Sequence, residues 1–146
     1  MSGLRPQPSG IPLPVVSELS RPYWDGCAEG RLTYQACQVC GTSMSDPGYL
    51  CRWCHSPKLE WRTSSGRGTI YSWSVVWRPQ TADFEVPYVV IIVELAEKFS
   101  IVSNLIGCEP ADVRAGLPVL VEFHKVGDMM LPYFAPAPPG AESAPG

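Results

Sequence analysis

Charge, histidine and long apolar runs are all scarce in this chain. Charged residues make up 17% of the composition and the formal net charge is −3, with an isoelectric point of about 5.3. No global basic field is therefore present to neutralise phosphates, the interaction on which nucleic-acid affinity mainly rests. The longest apolar stretch, Tyr88 to Val93, falls far short of the roughly 20 residues needed to span a bilayer. The N-terminus lacks the charged-then-apolar layout of a secretory signal, so a reducing cytoplasm is the expected compartment and Cys27 and Cys108 are expected to be reduced. The scarcity of histidine limits acid–base chemistry, because a catalyst needs a nucleophile beside a base or two carboxylates of separated pKa. His55 adjoins a cysteine pair, and His124 alternates onto one strand face with Glu122 and Val126. Cys108 reads as a small residue packed at a strand end. No catalytic residue is assigned.

What is present is cysteine in two close pairs, Cys37-Gln-Val-Cys40 and Cys51-Arg-Trp-Cys54, with ten residues between them. A CxxC turn points two thiolates at one centre, and two such turns face to face make a closed tetrahedral sulfur site suited to Zn²⁺. Gly41 follows the first pair, where the turn needs a residue tolerant of positive φ. Two disulfides or a redox CxxC are the competing readings; the redox motif needs one pair on a strand–helix junction. The segment from Leu32 to Trp61 has few aliphatic side chains, so a structural metal has to supply the folding free energy that its small core does not. Four cysteine ligands leave no open position, which makes such a zinc structural.

Around this centre the chain divides into four parts. Residues 1–17 carry Pro6, Pro8, Pro12 and Pro14 and read as a disordered tail. Residues 18–63 read as an N-terminal helix and the zinc ribbon. The helix is started by Ser20 with Pro22 in its first turn and stopped by Gly30; Tyr23, Trp24 and Cys27 form its apolar face. Strands at Leu32–Ala36 and Leu59–Thr63 flank the cysteine turns. Residues 64–134 read as all β: alternation at Thr69–Trp77 puts Tyr71, Trp73, Val75 and Trp77 on one side, and Tyr88–Leu95 is apolar on both faces. Further strands are expected at Phe99–Ile106, Val119–Val126 and Met130–Phe134, with a short helix at Glu109–Ala115. Five strands with a helix between the third and fourth match an OB-fold barrel, so the fold class is mainly β. Residues 135–146 read as a second disordered tail.

These pieces, in this order, resemble the acyl-CoA-associated family that joins a rubredoxin-like zinc ribbon to an OB-fold, domain of unknown function thirty-five. The resemblance is carried by Tyr23-Trp24, Gly30-Arg-Leu, Cys37-Gln-Val-Cys40-Gly, Cys51-Arg-Trp-Cys54, Leu59-Glu-Trp61, Ser65-Gly-Arg-Gly-Thr-Ile-Tyr-Ser72, Pro87-Tyr-Val-Val, Gly116-Leu-Pro-Val-Leu-Val-Glu-Phe123 and Leu131-Pro-Tyr-Phe134. Glu97-Lys98-Phe99 departs from it, because the family usually places a glycine in that hairpin. The resemblance implies a non-catalytic accessory subunit of a thiolase-like enzyme, aldolase or hydratase acting on acyl-CoA, steroid chains included, which stabilises the partner, completes its acyl-CoA channel, or passes an acyl-CoA between two active sites. On that reading Tyr23 and Trp24 dock the partner, and Arg67 and Arg78 contact CoA phosphates, since guanidinium forks suit phosphate oxygens. Neither nucleic acid nor membrane is expected as a partner. The alternatives are a single-stranded nucleic-acid module, with Trp61, Trp73 and Trp77 beside Arg62, Arg67 and Arg78, and a small independent acyl-CoA enzyme.

Overall fold

The computed structural model describes residues 3–138. Helix α1 spans Arg21–Ala28. It begins after Ser20 with Pro22 in its first turn, as expected, but the Ser20 hydroxyl does not cap it. That oxygen instead accepts from the Ser17 N–H at 3.0 Å. Gly30, at φ 79°, turns the chain out of the helix.

Strand β1 (Thr33–Cys37) is the centre of a three-stranded antiparallel sheet, with β2 (Ser43–Met44) on one side and β3 (Leu59–Thr63) on the other. All five β1 residues are buried. One face, Tyr34 and Ala36 with the preceding Leu32, joins the main hydrophobic cluster. The other face is covered piecewise. Thr33 lies under Gly26 of α1, where a Cβ would come within 2.9 Å of the threonine methyl. Gln35 exchanges two hydrogen bonds with the backbone of Gly48, at 3.1 and 2.8 Å. Cys37 enters the cysteine cluster.

Strands β4 (Arg67–Val76), β5 (Tyr88–Leu95), β6 (Ser100–Leu105), β7 (Pro118–Val126) and β8 (Met129–Pro136) close a barrel in the order β4-β5-β6-β8-β7. Every junction is antiparallel except β6–β8, which is parallel and consists of the single pair Leu105↔Phe134. This is OB-fold connectivity. Ile70, Val89, Ile91, Val93, Val119 and Phe134 fill the interior, continuous with Leu32 and Tyr34 of the ribbon. Tyr34 stacks on Phe99 at 4.6 Å between ring centroids, so ribbon and barrel share one core.

Three expectations are corrected. Tyr71 does not share a face with Trp73 and Val75. The β4–β5 register slips between Ile70 and Ser72, and such a bulge re-phases the alternation. Ile70 is buried, Tyr71 is exposed, and Trp73 and Val75 lie opposite Ile91 and Val89. The helix expected at Glu109–Ala115 is one 3-10 turn, Pro110–Asp112. Beyond it Val113 is extended, at ψ 139°, which lets Val113 and Leu117 reach the core.

The third correction concerns the ends. Residues 3–17 were expected to be a tail, yet Leu4 and Gln7 are buried. Leu4 exchanges backbone hydrogen bonds with Cys108 O and Gly107 N at 2.8 and 2.9 Å. The Gln7 amide side chain bonds both backbone groups of Glu85, and the Gln7 backbone N–H donates to Tyr133 Oη at 3.0 Å. Ile11 and Leu13 cover a second cluster of Ile106, Val126, Tyr133 and Ala135. Extended, proline-rich chain suits this role because it makes few internal bonds and offers apolar rings and side chains to a neighbour. At the other end β8 includes Ala135 and Pro136; the remainder of the expected tail, 139–146, lies outside the described residues.

Candidate metal centre

Each cysteine pair sits on a tight turn built in the same way. In the first, the Gly41 N–H returns to Cys37 O at 3.0 Å, and the Cys37 N–H donates to Thr42 O at 2.9 Å. In the second, the His55 N–H returns to Cys51 O at 2.9 Å, and the Cys51 N–H donates to Ser56 O at 2.8 Å. Gly41 and His55 both have positive φ, 81° and 65°. His55 thus does for the second turn what glycine does for the first, a conformation that histidine enters more readily than most side chains. This turn-forming role goes beyond the adjacency to a cysteine pair that the sequence shows for His55. The matching offset from the two CxxC motifs was the available signal.

Within each turn two N–H groups point at the leading sulfur: Val39 and Cys40 at Cys37 Sγ, both 3.4 Å, and Trp53 and Cys54 at Cys51 Sγ, 3.3 and 3.4 Å. The Cys40 N–H does most to hold the Cys37 thiol below its ordinary value, and the Cys54 N–H does the same for Cys51. The four sulfurs lie within 4.8 Å of one another, with Cys37–Cys54 at 3.6 Å and Cys40–Cys51 at 3.5 Å. A zinc tetrahedron with Zn–S near 2.3 Å has S···S edges of about 3.8 Å, so these four thiols fit Zn²⁺. A disulfide needs sulfurs about 2.05 Å apart, and all six cysteines are free.

The other candidate residues are dispersed. Arg67 opens β4 and Arg78 lies two residues past its end; ten residues lie between them, a span of up to roughly 35 Å in extended chain. Both are exposed, and they do not converge on one phosphate group. Tyr23 and Trp24 meet edge to face at 4.9 Å. Both line an open hollow with Pro47, Ile92 and Val102, and Tyr23 also packs against the core. His124 pairs with Glu122 at 3.0 Å. Burial pushes the Cys27 thiol up to about 12, and burial, with Asp112 and Glu109 adding to it, raises that of Cys108. Neither thiol is activated as a nucleophile. No helix among the described residues is long and apolar enough to cross a membrane.

The same two units are found in known proteins. The ChsH2 rubredoxin-like zinc ribbon domain matches residues 24–60, and the ChsH2 C-terminal OB-fold domain matches residues 61–124. The chain is 38% identical over 99 residues to a DUF35 domain-containing scaffold protein of Methanothermobacter thermautotrophicus, covering 66% of this chain and 74% of that protein. The chain belongs to the DUF35 family. Its four cysteines are accordingly the ligands of a structural zinc. This DUF35 protein is also 35% identical over 135 residues to the "Probable enoyl-CoA hydratase alpha subunit" of Thermomonospora curvata. That match takes in 90% of this chain but 42% of the longer relative, so the chain spans less than half the length of that subunit. Among solved structures, the Ltp2-ChsH2(DUF35) aldolase contains a chain that superposes with a TM-score of 0.79 at 32% identity, covering 86% of this chain and all of that one.

Proposed function

We propose that this chain is a non-catalytic, cytoplasmic accessory subunit that binds a thiolase-like aldolase or a hydratase acting on acyl-CoA and completes the partner's acyl-CoA channel. The observation that carries this reading is the match to the whole length of a chain in the aldolase structure. Its own chemistry agrees. The zinc site is closed, His124 pairs with a carboxylate rather than a nucleophile, and the thiols outside the zinc site are held protonated. Trp24, half-exposed beside the core-packed Tyr23, is the side chain placed to anchor a partner. Arg67 and Arg78 would serve CoA phosphates singly, one at each end of β4.

The test is a pull-down of the tagged chain from its native host, with identification of what co-elutes at stoichiometric yield. Recovery of a thiolase-like enzyme, aldolase or hydratase bears the proposal out. Turnover of acyl-CoA by the purified chain alone sinks it. One observation favours a second reading: Tyr71, Trp73 and Trp77 are exposed on the barrel, where single-stranded nucleic acid could stack. Salt-dependent binding of a labelled oligonucleotide at micromolar protein would replace the first reading with that one.

A further inference from the structure

The barrel closes through a short seam, because β8 joins β6 only at Leu105↔Phe134, where the Ile106 N–H donates to Phe134 O. The Leu95 N–H donates to Phe99 O at 2.8 Å. This bond sets which residues of β6 are bonded to β5. In an antiparallel ladder, hydrogen-bonded pairs alternate with non-bonded ones, so Ile101, Ser103 and Leu105 bond β5 through Val93, Ile91 and Val89. Ser100, Val102 and Asn104, which alternate with these, turn their N–H and C=O groups away from β5, and Asn104 lies beside the Leu105↔Phe134 contact with β8. Among the described residues no second strand is paired with that side of Ser100 and Val102.

That free edge borders a trench. Two hollows of about 480 and 390 Å³ share Ser45 and Ser100 and so run together. One wall is β6 and its hairpin. The facing wall is the ribbon, including β2, itself an edge strand of its sheet. Trp24, Ile92 and Val102 line one end and Trp53 the other, with Val102 70% and Trp53 78% exposed. An unpaired strand edge beside exposed apolar side chains is the arrangement that accepts an added strand: the main chain supplies affinity, and alternate side chains fill the hollows.

We infer that the trench between ribbon and barrel holds an extended segment of the partner enzyme's polypeptide, which adds as a strand to the free edge of β6 at Ser100 and Val102. The segment carries apolar side chains at the alternate positions that meet Trp24 and Val102. This rests on the accessory reading above, since it specifies how the partner is held.

The test is backbone amide exchange, resolved to single residues, on the free chain, on the free chain with CoA, and on the complex purified from the native host. In the complex, exchange at Ser100 and Val102 should slow at least tenfold, while Ile101 and Ser103, already bonded to β5, change little. Val102→Pro, which removes an outward N–H but no hydrogen bond to β5, and Val102→Lys, which places a charge on the exposed edge, should each weaken the complex at least tenfold. A stable complex with an acyl-CoA enzyme in which both amides still exchange freely overturns the inference and leaves the accessory role standing. Protection by CoA alone overturns it in favour of a ligand groove. Recovery of no acyl-CoA enzyme overturns the accessory role and the inference with it.

Discussion

Gly68 sits where three strands meet, paired with Leu95 of β5 and Val119 of β7. A Cβ there would lie 2.5 Å from Glu94 O and 2.7 Å from Val93 Cγ1. Neither atom is the free end of a flexible side chain, so Gly68→Ala forces the ladder apart. It should cost about 1–3 kcal/mol, read as a lower urea midpoint with an unchanged slope. Glu97 supplies a pH-dependent contribution. Burial raises its carboxyl, but the Ser64 hydroxyl at 2.6 Å and the Ser65 N–H at 2.8 Å outweigh this and hold it below the ordinary carboxylate value. A depressed carboxyl stabilises the fold above its unfolded pKa of about 4.3. That stabilisation is lost as pH falls through the lower folded value. Glu97→Gln should therefore melt below the parent chain at neutral pH, with the gap closing in acid below about pH 4. The gap is the quantity to follow, because protonation of the zinc thiolates lowers both curves. A gap constant with pH would mean that Glu97 acts by packing rather than by charge. At this scale the cysteine ligands were legible because their spacing is dictated by one metal. Glu97 was not, because its partners lie more than thirty positions away.

Among the elements, the N-terminal arm contributes most unexpectedly. Removing residues 1–13 strips Ile11 and Leu13 from the cluster of Ile106, Val126, Tyr133 and Ala135, exposes the site of Leu4, and leaves Tyr133 Oη without the Gln7 N–H. Lost burial of this kind costs about 2 kcal/mol or more, so calorimetry should show a melting temperature lower by roughly 5 °C or more. An unchanged transition would mean that the arm only rests on the barrel. The strands Leu59–Thr63 and Tyr88–Leu95 appear where the alternation and apolar runs put them, since period and burial are local signals. The arm carries no such signal: its order comes from contacts with Glu85, Cys108 and Tyr133, far along the chain. The same holds for Val113, drawn into extended backbone by the core, and for the bulge at Tyr71, which inverts a periodicity that the side chains alone cannot date to one residue.

For the molecule as a whole, the zinc centre and the barrel meet through Leu32, Tyr34 and Ala36 on one side of the ribbon and the trench on the other. Cys51→Ser should reduce zinc from one ion per chain to a small fraction by elemental analysis, because a three-thiolate set binds far more weakly. The barrel keeps Ile70, Ile91, Val93 and Phe134 as a core of its own, so its β-sheet signal should persist while the Tyr34–Phe99 stack loosens. One wall of the trench would then be lost while the free edge of β6 remains. If the partner is held between ribbon and barrel, the zinc-depleted chain should bind it at least tenfold more weakly although it is still folded. Equal affinity with and without zinc would place the partner on the barrel alone, and would reduce the ribbon to a cover for the hydrophobic surface around Tyr34.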